Sequence, residues 1–140
     1  MQQLAFMDIE LDKETRRKAE KLLSSYRNLD AIIKTQELEI APKMTINYEP
    51  SESQRGNQFY SDTEQVVMLR ERVDFNKLTK EKLHRIYNSL KPIQRQIWDL
   101  RYCDGMTDSY VYNELELTDR AYYRLKREMI AIVAEAFCLS

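Results

Sequence analysis

The chain has 140 residues and a formal net charge of −1, with 43% hydrophobic and 32% charged residues. This length and composition fit one ordinary domain, or a small domain with an appended arm. The near-zero charge argues against binding nucleic acid through bulk cationic charge, but it leaves room for a local basic face. No apolar run approaches the about 20 residues of a membrane helix, and residues 1–10 show no secretory signal, so we expect a cytoplasmic protein with no membrane contact.

Glycine, proline, histidine and cysteine are scarce, and this limits both the fold and the chemistry. Two Gly and three Pro leave few tight turns, which favours long helices over strands and allows no glycine-rich phosphate loop. A single histidine, His84, and two well-separated cysteines, Cys103 and Cys138, provide no metal cluster and no catalytic arrangement. We therefore expect an all-α protein that is not an enzyme, has no cofactor or metal, and keeps both thiols reduced.

The first predicted element is a long amphipathic helix in an N-terminal arm, residues 1–41. Its apolar positions follow the three-and-four spacing of a coiled-coil seam: Ala19, Leu22, Tyr26, Leu29 and Ile33. Six basic and two acidic side chains give its flank, residues 13–27, a net charge of +4. Two interpretations stay open, because the seam can pack against the rest of the same chain or against its twin in a homodimer.

A turn-rich stretch, residues 42–60, is predicted to be an irregular linker. It holds Pro42, Pro50 and Gly56 among several Ser, Asn and Gln residues. Within it, Met44–Tyr48 alternates weakly between apolar and polar residues, and without a second strand to pair with we expect extended coil there.

The C-terminal domain, residues 61–140, is predicted to begin with helix that leads to Leu90. Ser61 and Glu64 match a capping box, in which each side chain bonds the main-chain amide of the other residue, so a helix is expected to start there. Thr79 is a second candidate cap, which leaves open whether this segment is one continuous helix or two.

The rest of this domain has the outline of a helix-turn-helix, which we place at residues 107–138. Pro92 suits the first turn of a preceding helix, and Gly105 suits its left-handed end. A short helix, Asp108–Leu115, is expected next. Thr118 then suits the cap of a final amphipathic helix.

The final helix presents hydrogen-bond donors on the face opposite its apolar stripe. The predicted stripe is Ala121, Leu125, Met129, Ile132 and Ala136. Arginine can bond guanine with two donors, and tyrosine can bond a phosphate. The candidate DNA-binding residues are Arg120, Tyr123, Arg124, Arg127, Asp119, Lys126 and Arg95. Against the motif, the turn holds Glu116 where Gly is usual, and the short helix holds Tyr112 where a small residue is usual.

The residues of the C-terminal half resemble a known group of DNA-binding domains. The similarity runs through Leu90–Pro92, Arg95–Trp98, Leu100–Tyr102, Gly105–Thr107, Val111, Leu115, Leu117–Thr118 and Tyr122–Lys126. This pattern resembles the promoter-reading C-terminal domain of bacterial sigma factors, and more closely the ArpU-type and RinA-type regulators of bacteriophage late genes. Earlier positions also resemble the ArpU type: Asp8, Thr15, Leu23, Tyr26–Arg27, Pro42–Thr45, Tyr48, Phe59–Ser61 and Thr63–Glu64. The resemblance implies a helical regulator in the bacterial host that binds double-stranded late-promoter DNA and activates packaging or lysis genes.

A protein-interaction module without DNA contact is the alternative interpretation. Tyrosine is enriched at protein interfaces, and five of the nine tyrosines cluster within 22 residues: Tyr102, Tyr110, Tyr112, Tyr122 and Tyr123. In that case the seam and the final helix would bind RNA polymerase or another phage protein. If the chain does bind DNA, a homodimer is expected, because most helix-turn-helix regulators use two-fold symmetry to read two half-sites.

Overall fold

The computed structural model describes residues 11–45 and 55–139, and the regular elements in these ranges are helices without any strand. The predicted all-α class is confirmed. Two long helices come first: α1 spans Lys13–Thr45, and α2 spans Arg55–Ser89.

Shorter helical elements follow α2. Helix α3 spans Pro92–Ile97 and continues directly into a π-helical segment, Trp98–Cys103. Gly105, with a φ of 72°, ends this segment in the left-handed conformation that the sequence predicted. Helix α4 then spans Asp108–Glu114, and helix α5 spans Asp119–Ala136.

Packing divides the chain into two compact units. The first unit joins the start of α1, up to Arg27, with everything from Lys82 onward, and the second unit is Asn28–Glu81. These boundaries differ from the predicted arm at residues 1–41 and domain at residues 61–140. The difference arises because each of the two long helices contributes residues to both units.

In the second unit, α1 and α2 pack antiparallel. Lys80 Nζ lies 2.8 Å from Asp30, and Lys77 Nζ lies 3.0 Å from Glu37, so later residues of α1 meet earlier residues of α2. An apolar cluster lies between the helices: Ile33, Ile40, Val73, Val66 and Leu69. Burial of this cluster, rather than the exposed ion pairs, is the main stabilising contribution.

In the first unit, Trp98 joins the π-helical segment to the start of α1. Its side chain is fully buried, and its Nε1 donates to the Leu23 carbonyl at 3.0 Å. Its ring lies 5.3 Å from the rings of both Tyr26 and Tyr87. Leu23 and the neighbouring Ala19 are also fully buried. The apolar side of α1 is therefore used within the chain.

The predicted seam thus follows the first of its two interpretations. Ala19 is 0% exposed, and Leu29 and Ile33 are each 5% exposed, while Leu22 and Tyr26 are half-buried. Side chains that are buried within one chain are not available to a second copy. A homodimer stays a prediction; of the five seam residues, Leu22 and Tyr26 keep partly exposed side chains.

The two long helices extend further than predicted. Helix α1 runs past Pro42, and α2 begins before Ser61, so the stretch predicted as an irregular linker, residues 42–60, is helical at both of its ends. Residues 46–54 lie outside the described residues, and with them most of the coil predicted at Met44–Tyr48.

The predicted caps in α2 are helix-interior residues. The helix begins at Arg55, six residues before Ser61. Thr79 is 7% exposed, and its Oγ1 donates to the Phe75 carbonyl at 3.0 Å. A threonine hydroxyl can bond the carbonyl four residues earlier without ending the helix, so α2 runs continuously through this position.

Candidate nucleic-acid interface

Helices α4 and α5 are joined by a short turn, residues 115–118, of the length found in helix-turn-helix motifs. Each helix begins at a threonine cap. The Thr107 hydroxyl accepts from the Tyr110 amide at 3.2 Å, and the Thr118 hydroxyl accepts from the Ala121 amide at 3.1 Å. The predicted cap at Thr118 is confirmed, and it fixes where α5 begins.

Glu116 forms this turn without glycine. Its φ is 57°, in the left-handed region that costs a residue with a Cβ about 1–2 kcal/mol. The Glu116 amide donates to the Asn113 carbonyl at 3.2 Å, and the Leu117 amide donates to the Tyr112 carbonyl at 2.8 Å. These two bonds form a Schellman motif, which satisfies the last carbonyls of α4.

Tyr112, found where a small residue was expected, packs its ring against the first turns of α5. Its ring lies 5.6 Å from the Tyr122 ring and 6.5 Å from the Tyr123 ring. Tyr122 is fully buried, whereas Tyr123 is 43% exposed. One side of the Tyr123 ring therefore contacts the other tyrosine rings, and the rest of this ring is open to solvent.

The buried face of α5 is rotated from the predicted stripe. The buried residues are Tyr122, Leu125, Met129, Ile130, Ala131, Val133 and Ala134. Of the predicted stripe, Leu125 and Met129 are buried, Ala136 is exposed, and the other two residues are half-buried. The apolar periodicity missed Tyr122, whose ring gains from burial when its hydroxyl finds a partner.

Asp108, at the start of α4, is that partner, and it connects three basic or polar side chains. Its Oδ1 accepts from the Tyr122 hydroxyl at 2.5 Å, from Arg101 Nε at 2.9 Å and from Lys126 Nζ at 3.0 Å. Burial alone would raise the pKa of the Asp108 carboxyl. The hydrogen bonds from Tyr122 and Lys126 and the charge of Lys126 outweigh burial, so this pKa lies below its usual value. Asp108 is therefore ionised at neutral pH, and its bonds to Tyr122 and Lys126 hold α4 against α5.

Lys126 and Arg95, two of the candidate DNA-binding residues, form bonds within the fold. The Lys126 side chain is only 12% exposed, because its ammonium pairs with Asp108 and, at 3.7 Å, with Glu20. Arg95 donates to two carbonyls in the last turn of α2, at 2.8 and 3.0 Å. These bonds hold α5 to its neighbours and attach α3 to the end of α2.

Gln94 is a buried link that no sequence pattern predicted. It is 3% exposed, its Oε1 accepts from the Lys91 amide at 3.2 Å, and its Nε2 donates to the Leu125 carbonyl at 3.2 Å. The signal for it was weak, namely a polar residue three positions before the buried Ile97. Helix α3 is thereby attached to the middle of α5.

Three exposed arginines, Arg120, Arg124 and Arg127, form what we term the arginine face on the first half of α5. Their spacing of four and three residues places them on one side of the helix, where they line a shallow depression. Among the described residues, no carboxylate lies within ion-pair distance of any of them. Tyr123 and Asp119 are also exposed, and an acidic residue at that position suits the positive end of the helix dipole.

Outside the arginine face, the described part of the chain offers little other chemistry. No three His, Cys, Asp or Glu side chains in it are arranged to hold a metal ion. None of its helices combines the length and the apolar character needed to cross a membrane. No protein-family model, curated protein or solved structure matches the chain.

Proposed function

We propose that this chain is a sequence-specific DNA-binding transcription regulator that places the first half of α5 in the major groove. The arginine face is the observation that carries this proposal. Arg120, Arg124 and Arg127 are exposed donors without a carboxylate partner in the described residues, on a helix whose other side is buried. The major groove of B-DNA admits one α-helix, and arginine bonds guanine O6 and N7 with two donors.

The surroundings of α5 support this proposal, because they hold the helix rigidly. Thr118 caps its first turn, Asp108 binds its Tyr122 and Lys126, and Gln94 binds its main chain at Leu125. A base-reading helix needs such support, since side chains discriminate between bases only when their position is fixed.

The resemblance to ArpU-type and RinA-type regulators supports a narrower form of the proposal. In that form the protein acts in the cytoplasm of a bacterial host, binds a phage late promoter and activates packaging or lysis genes, with RNA polymerase as a partner. A homodimer belongs to this proposal because two half-sites would be read by two copies of α5. Its interface would lie away from the buried residues Ala19, Leu29 and Ile33.

Binding measured as a function of salt tests the proposal. Duplexes enriched by the protein from a random-sequence library, and phage late-promoter DNA in a footprint, serve as probes. With about five phosphate contacts per half-site, a dimer should show log K falling with log salt at a slope of about −9. A chain with a net charge of −1 has no diffuse cationic field that would produce this slope. Failure to enrich any duplex would overturn the proposal.

A protein-interaction module is favoured by a different observation. Several large apolar side chains in the second unit are exposed: Leu38, Phe75, Met68 and Leu78. Exposed apolar side chains in one region are typical of protein-binding surfaces. This second candidate predicts that the chain binds purified RNA polymerase in the absence of DNA, and that substitutions in the arginine face leave that binding unchanged.

A further inference from the structure

A second basic surface lies at the start of α1, in the same compact unit as the arginine face. It is an open groove along the first turns of the helix, beside the π-helical segment. The groove, which we term the basic groove, is lined by Lys13, Arg16, Arg17, Lys21, Glu20, Ser24, Arg101 and Tyr102. The first four of these side chains are all exposed cations.

The positive charge of the basic groove is not balanced within the described residues. Glu20 is the acidic side chain in the groove, and it already accepts from the Tyr102 hydroxyl at 2.8 Å and lies 3.7 Å from Lys126 Nζ. Arg101 pairs with Asp108 at 2.9 Å. No ion pair links any of the four exposed cations to a carboxylate of the described chain.

The position of these cations in the helix is also unfavourable. The first turn of a helix carries partial positive charge, so acidic side chains are stabilising there and basic ones are not. Asp12 and Glu14 follow this rule, and the Asp12 carboxylate accepts from the Thr15 amide at 2.7 Å. Lys13 and Arg16 do not follow it. Repulsion among the cations and with the helix end would be offset by a bound polyanion.

We propose that the basic groove binds the phosphate backbone of the duplex that α5 reads, beside the bases that contact the arginine face. This inference rests on the proposed function. The Glu20 carboxylate of α1, which lines the groove, lies 3.7 Å from Lys126 Nζ of α5, so the groove lies within about one helix diameter, 10–12 Å, of α5. B-DNA carries one phosphate charge per about 1.7 Å of its axis, so a duplex that extends from α5 past the groove would present phosphates to its cations.

The double variant Arg17→Gln/Lys21→Gln tests this contact. Its matched control, Lys34→Gln/Lys77→Gln, removes two exposed lysines that pair with Asp30 and Glu37 in the second unit. Affinity is measured against salt on a library-selected duplex and on a scrambled one of equal length. For each phosphate contact that is lost, the groove variant should lower the magnitude of the salt slope by about 0.9. Each lost contact should also lower the affinity at 0.1 M salt by up to about eightfold.

Phosphate contacts carry no sequence information, so this loss should be the same on both duplexes, and the preference for the selected duplex should not change. The control should match the parent. The charge-preserving variant Arg17→Lys/Lys21→Arg should restore the slope, which separates loss of charge from loss of folding.

Three outcomes would overturn the inference. If the groove variant keeps both the salt slope and the sequence preference of the parent, the basic groove does not contact phosphate. The proposal that α5 contacts the bases is then unaffected. Unchanged DNA binding together with loss of RNA polymerase binding would identify the groove as a protein-binding surface. Failure of the parent protein to bind either duplex would remove the proposed function and this inference together.

Discussion

The side-chain amide of Gln94 donates to the main-chain carbonyl of Leu125 at 3.2 Å, so α3 is attached to the backbone of α5. A bond to the backbone fixes the position of the helix axis, whatever side chains the helix carries. The contact lies between Arg124 and Arg127 in sequence, within the stretch of α5 that bears the arginine face. The buried amide thereby supports the placement of the exposed donors.

Gln94→Met should lower the free energy of unfolding by about 1–2 kcal/mol, because the Lys91 amide loses its acceptor and the Leu125 carbonyl loses a donor. Urea denaturation followed by circular dichroism measures this difference. Gln96→Met is the matched control, since Gln96 is exposed two residues away and its substitution should stay within about 0.5 kcal/mol. Equal stability of the two variants would show that the buried amide contributes nothing.

Leu29→Asp should destabilise the monomer instead of dissociating a dimer. Leu29 is 5% exposed, and an unpaired carboxylate at a buried site costs about 3 kcal/mol or more, so the thermal midpoint should fall steeply. Ile32→Asp, at a side chain that is 42% exposed on the same helix, should change the midpoint little. A Leu29→Asp protein that kept its midpoint, while sedimentation showed a dimer becoming a monomer, would place this residue between two copies.

Features that depend on local chemistry were predictable from the sequence. Pro92 begins a helix because its missing N–H costs nothing there, and Gly105 ends one because it accepts a positive φ. Thr118 caps α5 through its own hydroxyl. Exposure of Arg120 and Arg127 followed from the charge of the side chains and the helical period.

Features that depend on distant partners were not predictable. Tyr122 is buried because Asp108, 14 residues earlier, accepts from its hydroxyl, and the Lys126 side chain is only 12% exposed because it pairs with two carboxylates. No periodicity contains this information. The composition of residues 42–60 predicted an irregular linker, yet both of its ends are helical, since Pro and Ser set only a weak local preference that longer-range packing overrides. The bond of Gln94 to Leu125 likewise spans 31 residues.

Glu116→Gly should stabilise the protein by up to about 1 kcal/mol. The left-handed backbone at a φ of 57° strains a residue with a Cβ, and glycine removes this strain, partly offset by the greater freedom of the unfolded chain. Thermal unfolding of the variant measures the gain. Glu114→Gly, in the last turn of α4, should be destabilising, since glycine is unfavourable within a helix. A lower midpoint for Glu116→Gly would mean that the turn does not adopt this conformation in solution.

The stability difference between the parent and Asp108→Asn should depend on pH. The pKa of the folded-state carboxyl lies below its usual value of about 3.9, so the ionised group stabilises the fold above that pH. At neutral pH the loss should be about 1–3 kcal/mol, because charge-assisted bonds to Arg101, Tyr122 and Lys126 are removed.

As pH falls below about 4 and through the folded-state pKa, the carboxylate in the parent becomes protonated and the difference should shrink. Denaturation curves recorded between neutral pH and about pH 3 measure it. Asp104→Asn, at an exposed residue, is the control and should run parallel to the parent. A difference between the parent and Asp108→Asn that stayed constant down to the lowest pH would contradict the proposed ionic role of Asp108.

The arginine face makes the sharpest prediction, because base contacts and phosphate contacts lose affinity in different ways. Arg120→Ala or Arg124→Ala should cost about 1–3 kcal/mol on the selected duplex if the residue bonds a base, with specificity relaxed at one base pair. A phosphate contact would instead weaken binding to every sequence alike. Competition among duplexes substituted at single positions distinguishes the two, and Arg72→Ala, at an exposed arginine of the second unit, controls for loss of one charge. If both α5 variants stay folded and bind every duplex as tightly as the parent, α5 does not enter the major groove of DNA. The protein-interaction module then becomes the better account of the exposed arginines.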